Sequence, residues 1–267
     1  MRILYSLIAI YLIVLAVVAV FQRKLLYIPD RNIGEPEQYG LLGFHEYFVK
    51  TDDNISIQLW YKPAEDNKPT IVYFHGNASH MGNRAGIYSA LTNHGLGVLA
   101  VSYRGYGKSA GNPSERGLYK DARAAIYFLN ESMRLPLNKI IIYGESLGTG
   151  VSTKIASEYD VGAVILQAPY ISAIKRASEI YFFFPVNLVM LDKFNSISRI
   201  DRINCPLLIL HGKQDEVIPS YHSETLLKEA VQPKKAIFFD DVGHNNFDSG
   251  KVAEEIMRFL KEYNLSD

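Results

Sequence analysis

The chain has 267 residues, with 28 Lys+Arg against 28 Asp+Glu and so a formal net charge of zero. That balance excludes a protein that works by neutralising phosphates over a basic surface, and 48% apolar with 12% aromatic content excludes a disordered chain. The apolar residues are unevenly spread: 18 of the 19 residues at 3–21 are apolar, interrupted only by Ser6. Without that run the composition is that of an ordinary soluble protein, enough for one globular domain of about 240 residues with a full core.

The first predicted element is a membrane-spanning helix at residues 3–21, part of an anchor over 1–24. Nineteen residues at a rise of ~1.5 Å cover about 29 Å, the thickness of the hydrocarbon layer. Basic residues flank it (Arg2, then Arg23 and Lys24), and Tyr5, Tyr11, Phe21 and Tyr27 lie in or near it. A cleaved signal peptide is the competing reading. Val17-Val18-Ala19 is a weak cleavage site, but the apolar run exceeds a usual h-region and the n-region is a single Arg. Arg23 and Lys24 outweigh Arg2 by too little to set the side of the membrane on which the rest of the chain lies.

Residues 25–267 carry no repeat, low-complexity tract or linker and read as one domain. Two alternating segments, 46–50 and 55–61, flank Thr51-Asp52-Asp53-Asn54 and predict an antiparallel hairpin. Short β-branched and aromatic runs follow at 70–74, 97–102, 139–143, 162–166, 206–210 and 235–239. They are mostly non-alternating, as strands buried on both faces of a parallel sheet are. Helical stretches lie between or after them at 82–93, 114–129, 147–158, 220–231 and 251–263, Ser114 being a candidate N-cap. The pattern predicts an α/β fold: a mostly parallel sheet with an antiparallel N-terminal hairpin and helices on both faces. Residues 170–202, which include Tyr181-Phe182-Phe183-Phe184-Pro185, break the alternation as an insertion.

The chemistry centres on Gly144-Glu145-Ser146-Leu147-Gly148. With 19 glycines and 19 serines, G-x-S-x-G arises by chance in about one such chain in ten, so the pattern alone is weak. Here it follows a predicted strand and opens a predicted helix, the strand–turn–helix setting of a nucleophile elbow. A serine needs a base, and the base an orienting acid. His244, in Val242-Gly243-His244-Asn245-Asn246-Phe247, and Asp215, in His211-Gly212-Lys213-Gln214-Asp215, each follow a predicted strand. The open ends of parallel strands are where such sheets place their sites. Glu216 is the nearest alternative acid; Asp240 and Asp241 read as strand-end residues, and His75 and His211 as structural. Oxyanion donors are expected from the backbone N–H groups of Leu147 and of Asn77 in His75-Gly76-Asn77-Ala78. Tyr103-Arg104-Gly105-Tyr106-Gly107-Lys108-Ser109 lacks the spacing of a phosphate or dinucleotide loop and reads as a rigid loop beside the site. Cys205 is the only cysteine, so no internal disulfide forms, and no Cys/His cluster has zinc spacing.

These motifs, with the apolar N-terminus running into Phe21-Gln22-Arg23-Lys24-Leu25-Leu26-Tyr27, resemble the serine hydrolases of the α/β-hydrolase superfamily. Within it they resemble a membrane-anchored branch, the abhydrolase-domain-containing proteins. The resemblance spans nearly the whole chain. It implies an α/β-hydrolase fold with a short cap at 170–202, nucleophile Ser146, acid Asp215, base His244, and neither metal nor organic cofactor. It also implies cleavage of carboxylic esters or thioesters, with acyl or lipid-like substrates and the bilayer as partners. Phe183, Phe184 and Met190 are candidates for an acyl pocket, while packing of the cap onto the sheet, or contact with lipid, are equal claims on the same stretch. Relatives in the branch include thioesterases that remove palmitate from cysteines. This chain lacks their N-terminal cysteine cluster, and a spanning helix stands in its place. A serine peptidase of the same fold and a non-catalytic tethered module are the alternatives.

Overall fold

The computed structural model describes residues 1–266. It opens with helix α1 (Arg2–Leu26), which is long and apolar enough to cross a membrane and buries none of its residues fully. A two-residue strand β1 (Ile28–Pro29) follows directly. The hairpin is β2 (His45–Lys50) and β3 (Ser56–Lys62), in antiparallel register from His45 opposite Tyr61 to Lys50 opposite Ser56. Then come β4 (Thr70–Phe74), a two-residue β5 (Ala78–Ser79), α2 (Ala85–Thr92), β6 (Gly97–Val101) and α3 (Glu115–Tyr127). The second half contains β7 (Ile140–Glu145), α4 (Leu147–Ala156), β8 (Ala163–Gln167), and the short cap helices α5 (Ala173–Ile180) and α6 (Val186–Val189). It closes with β9 (Leu207–Gly212), α7 (Tyr221–Glu229), β10 (Lys234–Phe239) and α8 (Ser249–Glu262).

Eight strands form one sheet in the order β10-β9-β8-β7-β4-β6-β3-β2, parallel throughout except where β3 meets β6 and β2. Alternate side chains of each strand enter two cores. Ile140 and Ile142 pack with Leu118, Ala122, Val151, Ile155 and Leu226 beneath α3, α4 and α7. Ile141 and Tyr143 pack with Ile87, Leu91, Val252, Ile256 and Phe259 beneath α2 and α8. Burial on both faces is why these strands read as continuous apolar runs. Ser114 caps α3 by accepting from the Gly117 N–H at 3.2 Å.

The predicted hairpin, parallel strands and helices are all present, with β4 as predicted and other ends shifted by up to three residues. Two details differ. The stretch predicted to begin a helix at residue 82 starts as a 3₁₀ turn (Met81–Arg84) before α2, and the end of α3 widens into a π turn (Phe128–Ser132). The central strand β7 carries the elbow at its C-terminal end, flanked by β4 and β8 in register with it: Phe74 lies opposite Gly144, and Gln167 opposite Glu145.

Candidate active site

Ser146 lies between β7 and α4 in a left-handed backbone conformation, φ 50° and ψ −115°. Non-glycine residues adopt such angles only when their surroundings force them. The surroundings are the turn itself. A Cβ on Gly148 would sit 2.0 Å from the Phe74 carbonyl oxygen, and one on Gly144 2.4 Å from Ser152 Oγ. The backbone is pinned on both sides: Ser146 N–H donates to the Gln167 carbonyl at 2.9 Å, and the Thr149 N–H and hydroxyl donate to the Ser146 carbonyl at 2.9 and 2.6 Å.

The three candidate side chains converge. His244 Nε2 lies 3.0 Å from Ser146 Oγ, and His244 Nδ1 lies 2.7 Å from Asp215 Oδ2. Asp215 is buried; its Oδ1 accepts from the backbone N–H groups of Val217 and Ile218 at 2.8 and 2.7 Å. Burial alone would push this carboxyl up, but the bonds from His244 and Ile218 outweigh it and hold it below its ordinary value. An ionised carboxylate only accepts, so Nδ1 carries the imidazole proton and Nε2 is free to accept from the serine hydroxyl. Glu216 takes no part in this relay. Behind it, His211 is buried between Ser223 Oγ and the Ile218 carbonyl, at 2.5 and 2.8 Å, and its Nε2 lies 3.5 Å from Asp215.

The strand β4 delivers His75-Gly76-Asn77 to the same place. The Asn77 carbonyl accepts from Ile28 N–H at 3.0 Å and from Tyr106 Oη–H at 2.6 Å, while its side chain donates to the Leu26 carbonyl at 3.1 Å. The Tyr103–Ser109 loop therefore buttresses this segment, with Tyr103 Oη–H donating to the His75 carbonyl at 3.2 Å. Buried His75 donates from Nδ1 to the Gly76 carbonyl at 2.7 Å, and burial lowers its pKa to about 3.

Sequence reasoning missed Arg84, which occupies no motif. Its guanidinium forks onto Glu145, the residue before the serine, with Nε 3.0 Å from Oε2 and Nη2 2.9 Å from Oε1. Nη1 donates to the Ala78 carbonyl at 3.1 Å, so one side chain ties the elbow to the segment carrying Asn77. Tyr73 Oη–H donates to the same carboxylate at 2.7 Å. Burial pushes Glu145 up, but the charge of Arg84 and these bonds prevail and its pKa is lowered.

Ser146, His244, Asn77 and Leu147 all border one cavity of about 580 Å³, within the usual range for small-molecule sites. Its walls include Phe184 and Met190 of the cap. Phe183 is not among them: it is 56% exposed and packs edge-on against Phe182 and tilted against Phe184, because a turn cannot aim three consecutive rings to one side. Among the described residues no group of His, Cys, Asp or Glu is placed to hold a metal ion.

A family model described as serine aminopeptidase, S33 matches residues 65–196. An uncharacterized protein of Mycobacterium tuberculosis is 33% identical over 246 residues, covering 90% of this chain and 88% of that protein. Human alpha/beta hydrolase domain-containing protein 17B is 33% identical over 208 residues, covering 76% of this chain and 70% of its own length. Among solved structures, the esterase Pf2001 of Pyrococcus furiosus superposes with a TM-score of 0.72 at 18% identity, covering 89% of this chain and 97% of that one. With its central strand, elbow and strand order, the chain belongs to the α/β-hydrolase superfamily and has an esterase-like fold.

Proposed function

We propose that the protein is a membrane-anchored serine hydrolase that cleaves carboxylic ester or thioester bonds of acyl substrates through an acyl-enzyme. The observation that carries this reading is the relay of Ser146, His244 and Asp215, with contacts of 3.0 and 2.7 Å, at the wall of a largely apolar cavity. Ser146 Oγ attacks the acyl carbonyl while His244 Nε2 takes its proton, and Asp215 steadies the imidazolium that forms. The Leu147 and Asn77 N–H groups are the donors for the oxyanion. His244 then returns the proton to the departing alcohol or thiol, and water attacks the acyl-enzyme by the same route in reverse.

The test is labelling of the full chain with a fluorophosphonate probe, followed by turnover of p-nitrophenyl esters and acyl thioesters. Wild type is expected to label at Ser146. Ser146→Ala is expected to lose labelling and to reduce turnover by roughly 10⁴–10⁶-fold. Asp215→Asn, which removes the negative charge and exchanges an acceptor-only carboxylate for an amide, is expected to cost about 10⁴-fold. Equal labelling of wild type and Ser146→Ala would sink the reading. The serine aminopeptidase description of the matching family model favours a second reading, amide cleavage by the same residues. Turnover of amino-acid amides exceeding that of acyl esters would select it.

A further inference from the structure

The face of α1 turned toward the domain is part of the cavity. Only Leu15, Val18, Ala19, Gln22 and Leu26 of α1 are half-buried; the helix is otherwise exposed. Their spacing of three or four places them on one stripe, and all five line the cavity that holds Ser146. From Leu15 to Leu26 the stripe runs about 16 Å along the helix axis. Its Ser146 end is tied down: Asn77 Nδ2 donates to the Leu26 carbonyl, and β1, directly after α1, pairs with β5, directly after Asn77.

The opposite wall is the cap, and its outer part matches α1 in kind. Residues 180–191 contain no charged side chain, as residues 3–22 of α1 do not. Both uncharged runs end at one point, where Arg23 forks onto Asp192 at 2.9 and 3.1 Å and Tyr27 Oη–H donates to the same carboxylate. Beyond that point the cap tip follows α1 outward. Tyr11 Oη–H donates to the Phe183 carbonyl at 2.9 Å, and its ring stacks on Phe184. Tyr11 is 12 residues from Arg23, about 18 Å along the axis and more than half of a ~30 Å hydrocarbon layer. Phe182 and Leu188 are 84% and 86% exposed on this tip, a level of exposure that water penalises and lipid does not. The polar group that such an environment would penalise is satisfied. Gln22 Nε2 donates to the Ala19 and Val189 carbonyls at 2.6 and 3.0 Å, and its Oε1 accepts from Leu191 N–H at 2.7 Å.

We propose that residues 180–191 are immersed in the bilayer beside α1, and that an acyl chain passes sideways from the lipid between them to Ser146. Ala19 and Val18 then form the wall against which the chain lies. The Arg23 and Asp192 pair sits at the membrane interface, where the uncharged runs stop. The immersion stands by itself; the acyl passage rests on the hydrolase reading above.

The experiment has two arms, both on the full chain in phosphatidylcholine vesicles. In a Cys205→Ser background, a fluorophore is attached at Leu188→Cys or, for comparison, at exposed Lys228→Cys on α7. Nitroxides deep in the acyl chains are expected to quench the first strongly and the second hardly at all, with a water-soluble quencher doing the reverse. Quenching of the Leu188 site like that of the Lys228 site overturns the immersion. In the second arm, Ala19→Phe and the milder Ala19→Leu are expected to lower the ratio of long-chain to short-chain ester turnover at least tenfold for the first and less for the second. Val17→Phe, on the outer face of α1, is expected to keep the wild-type ratio. A wild-type ratio in both Ala19 variants overturns the acyl passage, whereas wild type that fails to label with a fluorophosphonate overturns the hydrolase reading and leaves the quenching result standing.

Discussion

Ser146 is held in a conformation that costs about 1–3 kcal/mol for a residue with a Cβ. Glycine has no such cost there, although it loses about 0.5–1 kcal/mol more to chain entropy on folding. The strain is the larger effect. Ser146→Gly is therefore expected to raise stability by about 1 kcal/mol while removing the proposed nucleophile, whereas Ser146→Ala retains the strain; thermal unfolding of the two variants side by side checks this. Arg84 acts differently, as a positioning residue. Arg84→Ala leaves the half-buried Glu145 carboxylate with no cation and only the Tyr73 hydroxyl as a side-chain donor, and frees the segment carrying Asn77 from the elbow. The expected outcome is a loss of about 2 kcal/mol in stability and a 10–100-fold fall in kcat with KM little changed. Arg84→Lys is expected to rescue little, since a point charge cannot reproduce a two-pronged contact. A fall in KM and kcat together, or full rescue by lysine, would contradict that role. Ser146, Asp215 and His244 were legible in the sequence because the elbow imposes a spacing and strand ends impose a place. Arg84 was not, because its partner lies 61 residues away and nothing local marks an arginine that pairs across a fold.

At the scale of elements, strand identity was readable and strand ends were not. The run predicted at 139–143 became Ile140–Glu145, since a strand extends as far as its neighbour offers ladder partners, here Gln167 opposite Glu145. The helix at the N-terminus was legible as an element but silent about its contacts. A segment apolar on every side has no amphipathic face to declare which stripe meets the domain. The stripe is chosen by polar outliers, Gln22 and Arg23, whose partners are in the cap. The cap itself read only as a break in alternation, because α5 and α6 are short and separated by Pro185. The pairing of Arg23 with Asp192 is expected to matter in proportion to its partial exposure: Arg23 is half open to solvent, but Asp192 is buried and also bonded by Tyr27. Asp192→Ala removes all of these bonds at once, with an expected cost of about 1–2 kcal/mol, or roughly 2–8 °C in Tm. Cleavage by protease between α1 and β1 should become faster in the same variant, and an unaltered Tm would show that the pair merely coincides with the junction.

Across the whole molecule, zero net charge leaves no global repulsion to set the response to pH, so individual buried groups set it. His75, His80, His211 and His222 are buried, and burial lowers the pKa of each, His75 to about 3. A histidine whose pKa is lower in the folded than in the unfolded chain takes up its proton only on unfolding. Between its ordinary value of 6.5 and its folded value, acidification therefore favours the unfolded chain by about 1.4 kcal/mol per pH unit for each such group. Asp121 opposes this: burial raises it to about 6, so it gains stability as pH falls from there toward 3.8. One carboxyl against four imidazoles leaves a net loss. Below about 4.5 the lowered carboxylates add to that loss, including Glu179, where bonds from Tyr221 and Arg176 outweigh burial and hold the group at about 2. Stability is thus expected to be level between about pH 7 and 8, to decline from pH 6.5 downward and to steepen below 4.5. It is expected to fall again above about pH 9, where the unfolded chain gives up the thiol proton of Cys205 and the phenol protons of tyrosines such as Tyr73 that burial holds in the folded state. His75→Asn keeps a donor for the Gly76 carbonyl while removing the titration, so its Tm, followed by the fluorescence of the single Trp60, should fall less steeply than wild type between pH 6.5 and 4.5. Parallel Tm curves for the two proteins in that interval would mean that His75 is protonated in the folded state and that its burial does not govern acid stability.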